Sequence, residues 1–278
     1  MASRSGPRRP NDPVIGRLFI DGEPAIADDL AHPALVGYGA YTSFRVEGGA
    51  VRGLSLHLDR LAGSAGELFG AAPSEARLRD LMRQALDGRP EAWLRVSLFS
   101  PEIGHRSPIR IGEPRVMVGV FDPPAPLAGG VRVQPQVHQR FMPHLKHTAT
   151  FDLIRARRTA RASGFDDALF VDDQGQLSEG TLWNLGFVSG DTVVWPAAPM
   201  LDGVTRRLIE TNLVEQGLRS ERTEVRLDDL SRFDAAFLCN SATPAASIAA
   251  IGEHVFAERP DLTGRLTAAW TAAAPEPI

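Results

Sequence analysis

Lysine is almost missing from this chain: among its 30 basic residues, Lys146 is the single lysine and all the others are arginine. Exchanging surface lysines for arginines keeps a long solvated cation, so charge does not explain why one lysine stands in "PHLKHTATFD". Lysine can lose its proton and attack a carbonyl as an amine, which arginine cannot. Lys146 is therefore either a leftover surface residue or a nucleophile, and the rest of the sequence must decide. Cysteine is equally scarce. Cys239 on its own excludes an intrachain disulfide and a cysteine-rich zinc site, and agrees with a reducing cytoplasm. Long apolar runs are absent, so no membrane-spanning helix is expected. The basic opening "MASRSGPRRPNDP" has no apolar stretch behind it, and residues 1–13 read as a disordered arm of a cytoplasmic protein. Surplus positive charge is lacking too. With 34 acidic residues the net charge is -4, and the arginines are scattered without an aromatic platform, which argues against a nucleic-acid partner. The seven histidines are dispersed, and the closest pair, His144 and His147, has no carboxylate at metal-ligand spacing, so no metal is expected.

What is present is ordinary for a globular protein: 43% hydrophobic and 23% charged residues over 278 positions, enough for two domains. The pattern predicts α and β intermixed, an α/β (α+β) fold. Strands are expected at "RLFIDGEPA" and "YTSFRVEGGAVRG", broken by D-G and G-G turns, then helices over about 56–69 and 75–86. "AWLRVSLFS" and "RVMVGVF" read as strands. "DPPAPLAGG" gathers prolines and glycines into a linker, so the expected division is a small domain at 14–122, a linker at 123–130 and a larger domain at 131–278. The second half predicts a strand at "VRVQPQV", a helix over about 150–163, strands at "DALFVDD" and "LGFVSGDTVVWP", a helix from near Gly203, and strands at "RTEVRL" and "DAAFLCN".

Five motifs occur in one order: "HLDRLAGSAGELF", Lys146 ahead of a helix, "GFDDALFVDDQGQLSEGTLWNLGFV", "LDGVTRRLIE" and "FLCNSATPAASI". Together they resemble the class IV aminotransferases, the fold-type IV pyridoxal-phosphate enzymes, from about Arg17 to Ile251. The resemblance implies a two-domain fold with pyridoxal 5'-phosphate between the domains, and a homodimer. It makes Lys146 the residue that forms the cofactor aldimine and then moves a proton as a free amine. It gives Glu179 of "SEGTLWN" the pyridine nitrogen, which an anionic carboxylate keeps protonated. A phosphate dianion needs an arginine fork and a helix N-terminus. By resemblance these are Arg60 and the backbone amides of Val204 and Thr205, with Ser241 as a hydroxyl donor and Thr243 close enough to replace it. His57 reads as a packing neighbour of Arg60.

For the substrate the resemblance implies an amino donor and a 2-oxo acid acceptor, and it is closest to D-amino-acid aminotransferases and aminodeoxychorismate lyases. Tyr41, one of two tyrosines, matches a substrate-facing tyrosine of the D-amino-acid group. The family's usual acidic residue beside it is Thr42 here. Branched-chain enzymes commonly place a tyrosine five residues after the lysine, where this chain has Phe151. The Arg-Gly pair that usually binds the carboxylate is missing from "LFSPEIGHRS", leaving Arg95, His105 or Arg106 to supply the cation. The expected activity is amino transfer between a D-amino acid, with some (R)-amines, and a 2-oxo acid. The competitors are an aminodeoxychorismate lyase releasing pyruvate and 4-aminobenzoate, and a branched-chain aminotransferase. A cofactor binder without turnover sits poorly with an intact set of Lys146, Glu179 and Arg60.

Overall fold

A computed structural model describes residues 16–278, so the arm expected at residues 1–13 lies outside the described residues. The elements run β1 (Arg17–Ile20), β2 (Glu23–Pro24), α1 (Ala27–Leu35), β3 (Gly39–Val46), β4 (Ala50–Arg52), α2 (Leu54–Phe69), α3 (Glu75–Leu86), β5 (Ala92–Phe99) and β6 (Arg115–Phe121). The second half continues with β7 (Val131–Val137), α4 (Phe151–Ala162), β8 (Asp167–Val171), β9 (Leu177–Gly180), β10 (Asn184–Ser189), β11 (Thr192–Pro196) and α5 (Val204–Asn212). It ends with β12 (Arg219–Thr223), β13 (Ala235–Asn240), β14 (Thr243–Ile251), β15 (His254–Val255), α6 (Pro260–Ala272) and β16 (Pro275–Pro277).

The first half folds as an antiparallel sheet in the order β2-β1-β6-β5-β3. Inward Phe44, Leu94, Val96 and Val118 meet Leu58 and Leu61 of α2 and Leu78 and Met82 of α3, because strand alternation and helical spacing put these apolar positions on facing surfaces. The second half is built on the path β12-β11-β10-β13-β14-β7-β8-β9. That path returns on itself, since Asn184 of β10 pairs with Glu179 of β9. Closing the sheet thus sets an acid and an amide side by side at its rim.

Two glycines fix where the halves meet. Gly53, ahead of α2, has φ +68, and a Cβ there would come within 3.0 Å of Val204 Cγ1, so α2 approaches α5 over a bare backbone. At Gly203 a Cβ would fall on Asn184 Oδ1, so the entry to α5 lies flat against β10. The last residues return to the first half: β16 pairs with β4, and Ile278 joins the core of that half. The strand expected at "RTEVRL" lies earlier, as β12. It pairs only along its backbone at the sheet edge with its side chains mostly exposed, while the apolar signal came from Val225 and Leu227, which pack inward from a loop.

Candidate active site

A cavity of ≈ 280 Å³ lies between the two halves, and Lys146 lines it. The segment carrying Lys146 is stitched to β3: Tyr41 N donates to Lys146 O at 2.9 Å and Thr148 N to Gly39 O at 2.8 Å. Arg140 braces the same turn, donating to Leu145 O at 2.9 Å. These contacts pin the backbone on both sides of the lysine, and Nζ comes to rest 4.9 Å from the centre of the Tyr41 ring. Burial, then repulsion from Arg60 and Arg140, lowers the ammonium pKa from 10.5 to about 7, with Glu179 pulling the other way. A lysine in this setting is a usable amine at neutral pH.

Glu179 is buried, and its Oε1 accepts from Arg140 Nη1 at 3.0 Å and from Leu201 N at 3.2 Å. No donor to Oε2 occurs among the described residues. Burial raises the Glu179 pKa, and Arg140 opposes that rise. The ion pair is itself buried, with 8% and 6% of the two side chains exposed, so removing either partner would strand a charge. Asn184 Nδ2 donates to Leu201 O at 2.9 Å, and together these bonds hold the loop entering α5 against the cavity wall.

Arg60 lines the cavity from α2, and both of its hydrogen bonds go to neutral oxygens: Asp202 O at 3.2 Å and Thr42 Oγ1 at 3.1 Å. Burial lowers its pKa to about 10, which leaves it cationic at neutral pH. Thr42 Oγ1 also lies 2.6 Å from His57 Nδ1. The Thr42 hydroxyl therefore bridges Arg60, from which it accepts, and the His57 ring. Burial and the nearby Arg60 and Lys146 push the His57 pKa well down, which favours the neutral ring. Val204 and Thr205 line the cavity at the first turn of α5, where backbone N–H groups are unpaired within the helix. Ser241 lines it from the turn after β13. Thr243 does not. It is buried, and its Oγ1 accepts from Leu127 N at 2.9 Å, tying down the crossing between the two halves.

At the other end Arg95 lies 3.8 Å from the centre of the Tyr41 ring, a cation–π stack that fixes both side chains. Its one hydrogen bond among the described residues is to Ser97 Oγ at 3.4 Å, and it has no carboxylate partner there. His105 and Arg106 are different: they sit on the exposed loop after β5 and do not line the cavity, because the turn at 101–107 carries them away from the strand ends. Phe151 is 74% exposed at the start of α4, so the side chain five residues after the lysine faces outward, and its lack of a hydroxyl costs no contact in the cavity. Arg140 and Asn184 were not singled out from the sequence. Arg140 is one arginine among many. Asn184 could have been found, since it follows Glu179 in the same "EGTLWN" run. Among the described residues no group of three or more His, Cys, Asp or Glu could hold a metal ion.

The amino-transferase class IV family model matches residues 39–251, which spans the lysine, the Arg140–Glu179 pair, Arg60 and the entry to α5. The chain belongs to the class IV aminotransferases. A branched-chain-amino-acid aminotransferase of Pseudomonas aeruginosa is 24% identical over 259 residues, covering 84% of each chain. The branched-chain aminotransferase of Thermoproteus uzoniensis, solved with norvaline, superposes with a TM-score of 0.79 at 21% identity over 92% of this chain and 93% of its own. A fold-type IV transaminase of Curtobacterium pusillum does so with a TM-score of 0.74 at 22% identity, over 85% of this chain and 87% of its own. Class IV aminotransferases are pyridoxal-phosphate-dependent enzymes, and the fold is the two-domain fold-type IV arrangement. The cavity suits that cofactor. It offers one low-pKa amine, one carboxylate whose Oε2 has no donor among the described residues, and a guanidinium bonded only to neutral oxygens beside a helix N-terminus.

Proposed function

We propose that this class IV aminotransferase moves an amino group between a D-amino acid and a 2-oxo acid, with Lys146 as the residue that holds the cofactor. The observation that carries this reading is the stack of Arg95, Tyr41 and Lys146, in which a cation without an acid partner and a reactive amine flank one aromatic ring. When bound, pyridoxal phosphate supplies an electron sink for the substrate's amino-bearing carbon. Lys146 Nζ would hold the cofactor covalently and, as a free amine, would move the proton at the substrate's amino-bearing carbon. Glu179 would hold a proton at the pyridine nitrogen, and Arg140 favours its anionic form against the burial that raises its pKa. Arg60, Ser241 and the amides of Val204 and Thr205 bind the phosphate. Arg95 receives the substrate carboxylate, and Tyr41 shields the reacting carbon from water. His105 and Arg106 take no part within one chain, and Thr243 is structural. Some (R)-amines without a carboxylate react slowly, since Tyr41 and Lys146 remain for them.

The test compares enantiomers. D-Alanine or D-glutamate should convert bound pyridoxal phosphate to pyridoxamine phosphate, and pyruvate or 2-oxoglutarate should reverse it, both read by absorbance and mass spectrometry. Faster conversion by L-valine or L-leucine than by the D-isomers would replace this reading with the branched-chain one, which the relatives' names favour. Release of pyruvate and 4-aminobenzoate from aminodeoxychorismate, without need of a 2-oxo acid, would replace it with the lyase.

We further propose that two copies pair in the cytoplasm. Exposed Tyr38 and Phe141 border an apolar groove beside the Lys146 loop, a surface that a second copy would cover. The single, buried cysteine fits a reducing compartment. No helix among the described residues is long and apolar enough to cross a membrane.

A further inference from the structure

The Lys146 cavity does not end at Arg95. A second cavity of ≈ 550 Å³ shares Tyr41, Arg95, Leu153, Thr181 and Leu182 with it, so the two adjoin across these side chains. The rest of its wall is one face of α4, on which Ile154, Arg157, Arg158 and Arg161 follow at helical spacing. With Arg95, four guanidinium groups line this space and no aspartate or glutamate does.

These arginines are poorly matched by acids. The Arg158 side chain has no hydrogen bond or ion pair among the described residues. Arg161 Nε donates to the backbone oxygen of Asp166 at 3.1 Å rather than to a carboxylate. Arg157 Nε lies 3.6 Å from Asp167 Oδ2, but that aspartate is already held by Thr181 Oγ1 at 2.7 Å and Trp183 Nε1 at 3.1 Å. Arg157 and Arg161 stand four residues apart, where like charges disfavour a helix, and Asp152 is the only acid on α4. A solvated helix face gains nothing from this pattern, whereas an anion drawn in beside it would relieve the repulsion. The last-turn position of Arg161 suits the helix dipole, but that does not account for Arg157 and Arg158. Leu153, Ile154 and Leu182 add an apolar wall against which a short hydrocarbon chain can lie.

We propose that the α4 face is a second anion subsite, which takes the distal carboxylate of a dicarboxylic amino acid or 2-oxo acid while the reacting end lies at Lys146. This rests on the amino-transfer reading above and names the substrate class for it. Arg157, Arg158 and Arg161 grip the distal carboxylate, and Arg95 holds the proximal one.

Binding of glutarate and of pentanoate to the cofactor-loaded protein, measured by calorimetry at constant ionic strength, tests the subsite without turnover. Wild-type protein should prefer the dicarboxylate by about tenfold or more. In the double variant R158Q/R161Q that ratio should collapse toward one, and KM for 2-oxoglutarate should rise relative to KM for 2-oxobutyrate. Circular dichroism checks that the variant is folded. The single variant R158Q, which removes the charge without a partner, should lower the ratio by a smaller amount. No dicarboxylate preference in wild type, or an unchanged ratio in the double variant, overturns the subsite. Absence of amino transfer in wild type with either acid would overturn the functional reading instead, and the binding ratio is measured independently of that outcome.

Discussion

The two ends of the active-site cavity are built in different ways. At the inner end each charged group is fixed by several contacts. Glu179 is bound by Arg140 and by the Leu201 amide, Arg60 by Thr42 and the Asp202 carbonyl, and the Lys146 backbone by β3. At the outer end Arg95 has one long hydrogen bond and a stacked ring, and Arg158 has no partner among the described residues. Preorganised groups cost no rearrangement when charge develops, which is what the chemical step requires. Cations without a carboxylate partner are free to take one from the substrate, which is what recognition of an acid requires. On the proposed reading, chemistry belongs to the over-constrained end and specificity to the open end.

Substitutions at the inner end should separate chemistry from cofactor binding. The largest effect is expected for Glu179→Gln: kcat should fall by roughly 10²–10³ while the cofactor stays bound, on the pattern of a lost electrostatic partner. Next comes the pH response of the cofactor-free protein. Lys146 gains its proton near pH 7 when folded and near 10.5 when unfolded. Between these values the unfolded chain carries the extra proton, so stability should rise with pH, by on the order of a few kcal/mol over the whole window. Below about pH 7 the cost of the buried charge remains in full. In Lys146→Met, chemical denaturation across pH 7–10 should lose that rise, and an unchanged slope would remove the lysine as its source. Arg60→Ala should then weaken cofactor binding by roughly 1.5–3 kcal/mol, with kcat at saturating cofactor changed far less. Equal cofactor loss in Glu179→Gln and Arg60→Ala would erase the distinction between their roles. The smallest effect is expected at Thr42. Thr42→Val breaks the bridge between His57 and Arg60 and should cost about 1 kcal/mol of cofactor affinity, which Thr42→Ser restores.

The same contrast governs what could be read from the sequence. Lys146 was legible because it is chemically unique in the chain, and Glu179, Arg60 and the start of α5 because they sit in ordered motifs. Helices α2 and α3 were legible from their apolar spacing. Arg140 was not, since its importance comes from an ion pair with Glu179, 39 residues further along the chain, and no local pattern encodes that contact. Ser241 and Thr243 stand two residues apart, so strand alternation does not separate them; the turn after β13 turns Ser241 toward the cavity, and the bond to Leu127 takes Thr243 away from it. His105 and Arg106 drew notice for their charge alone, although a loop residue's reach is set by a backbone path that composition does not record. Helices α1 and α6 and strand β14 gave no usable signal either. An internal proline in α1 and runs of alanine in β14 and α6 blur the periodicity on which such readings depend.

Everything proposed for this cavity depends on Lys146 being the amine that holds the cofactor. Borohydride reduction of the loaded protein, followed by peptide mapping, measures this directly. Because the chain has one lysine, the reduced cofactor should be found on the peptide containing Lys146. No adduct and no turnover are expected in Lys146→Arg, whose charge is kept but whose guanidinium cannot form the bond. An adduct on any other peptide, or turnover surviving in the arginine variant, would contradict that role for Lys146.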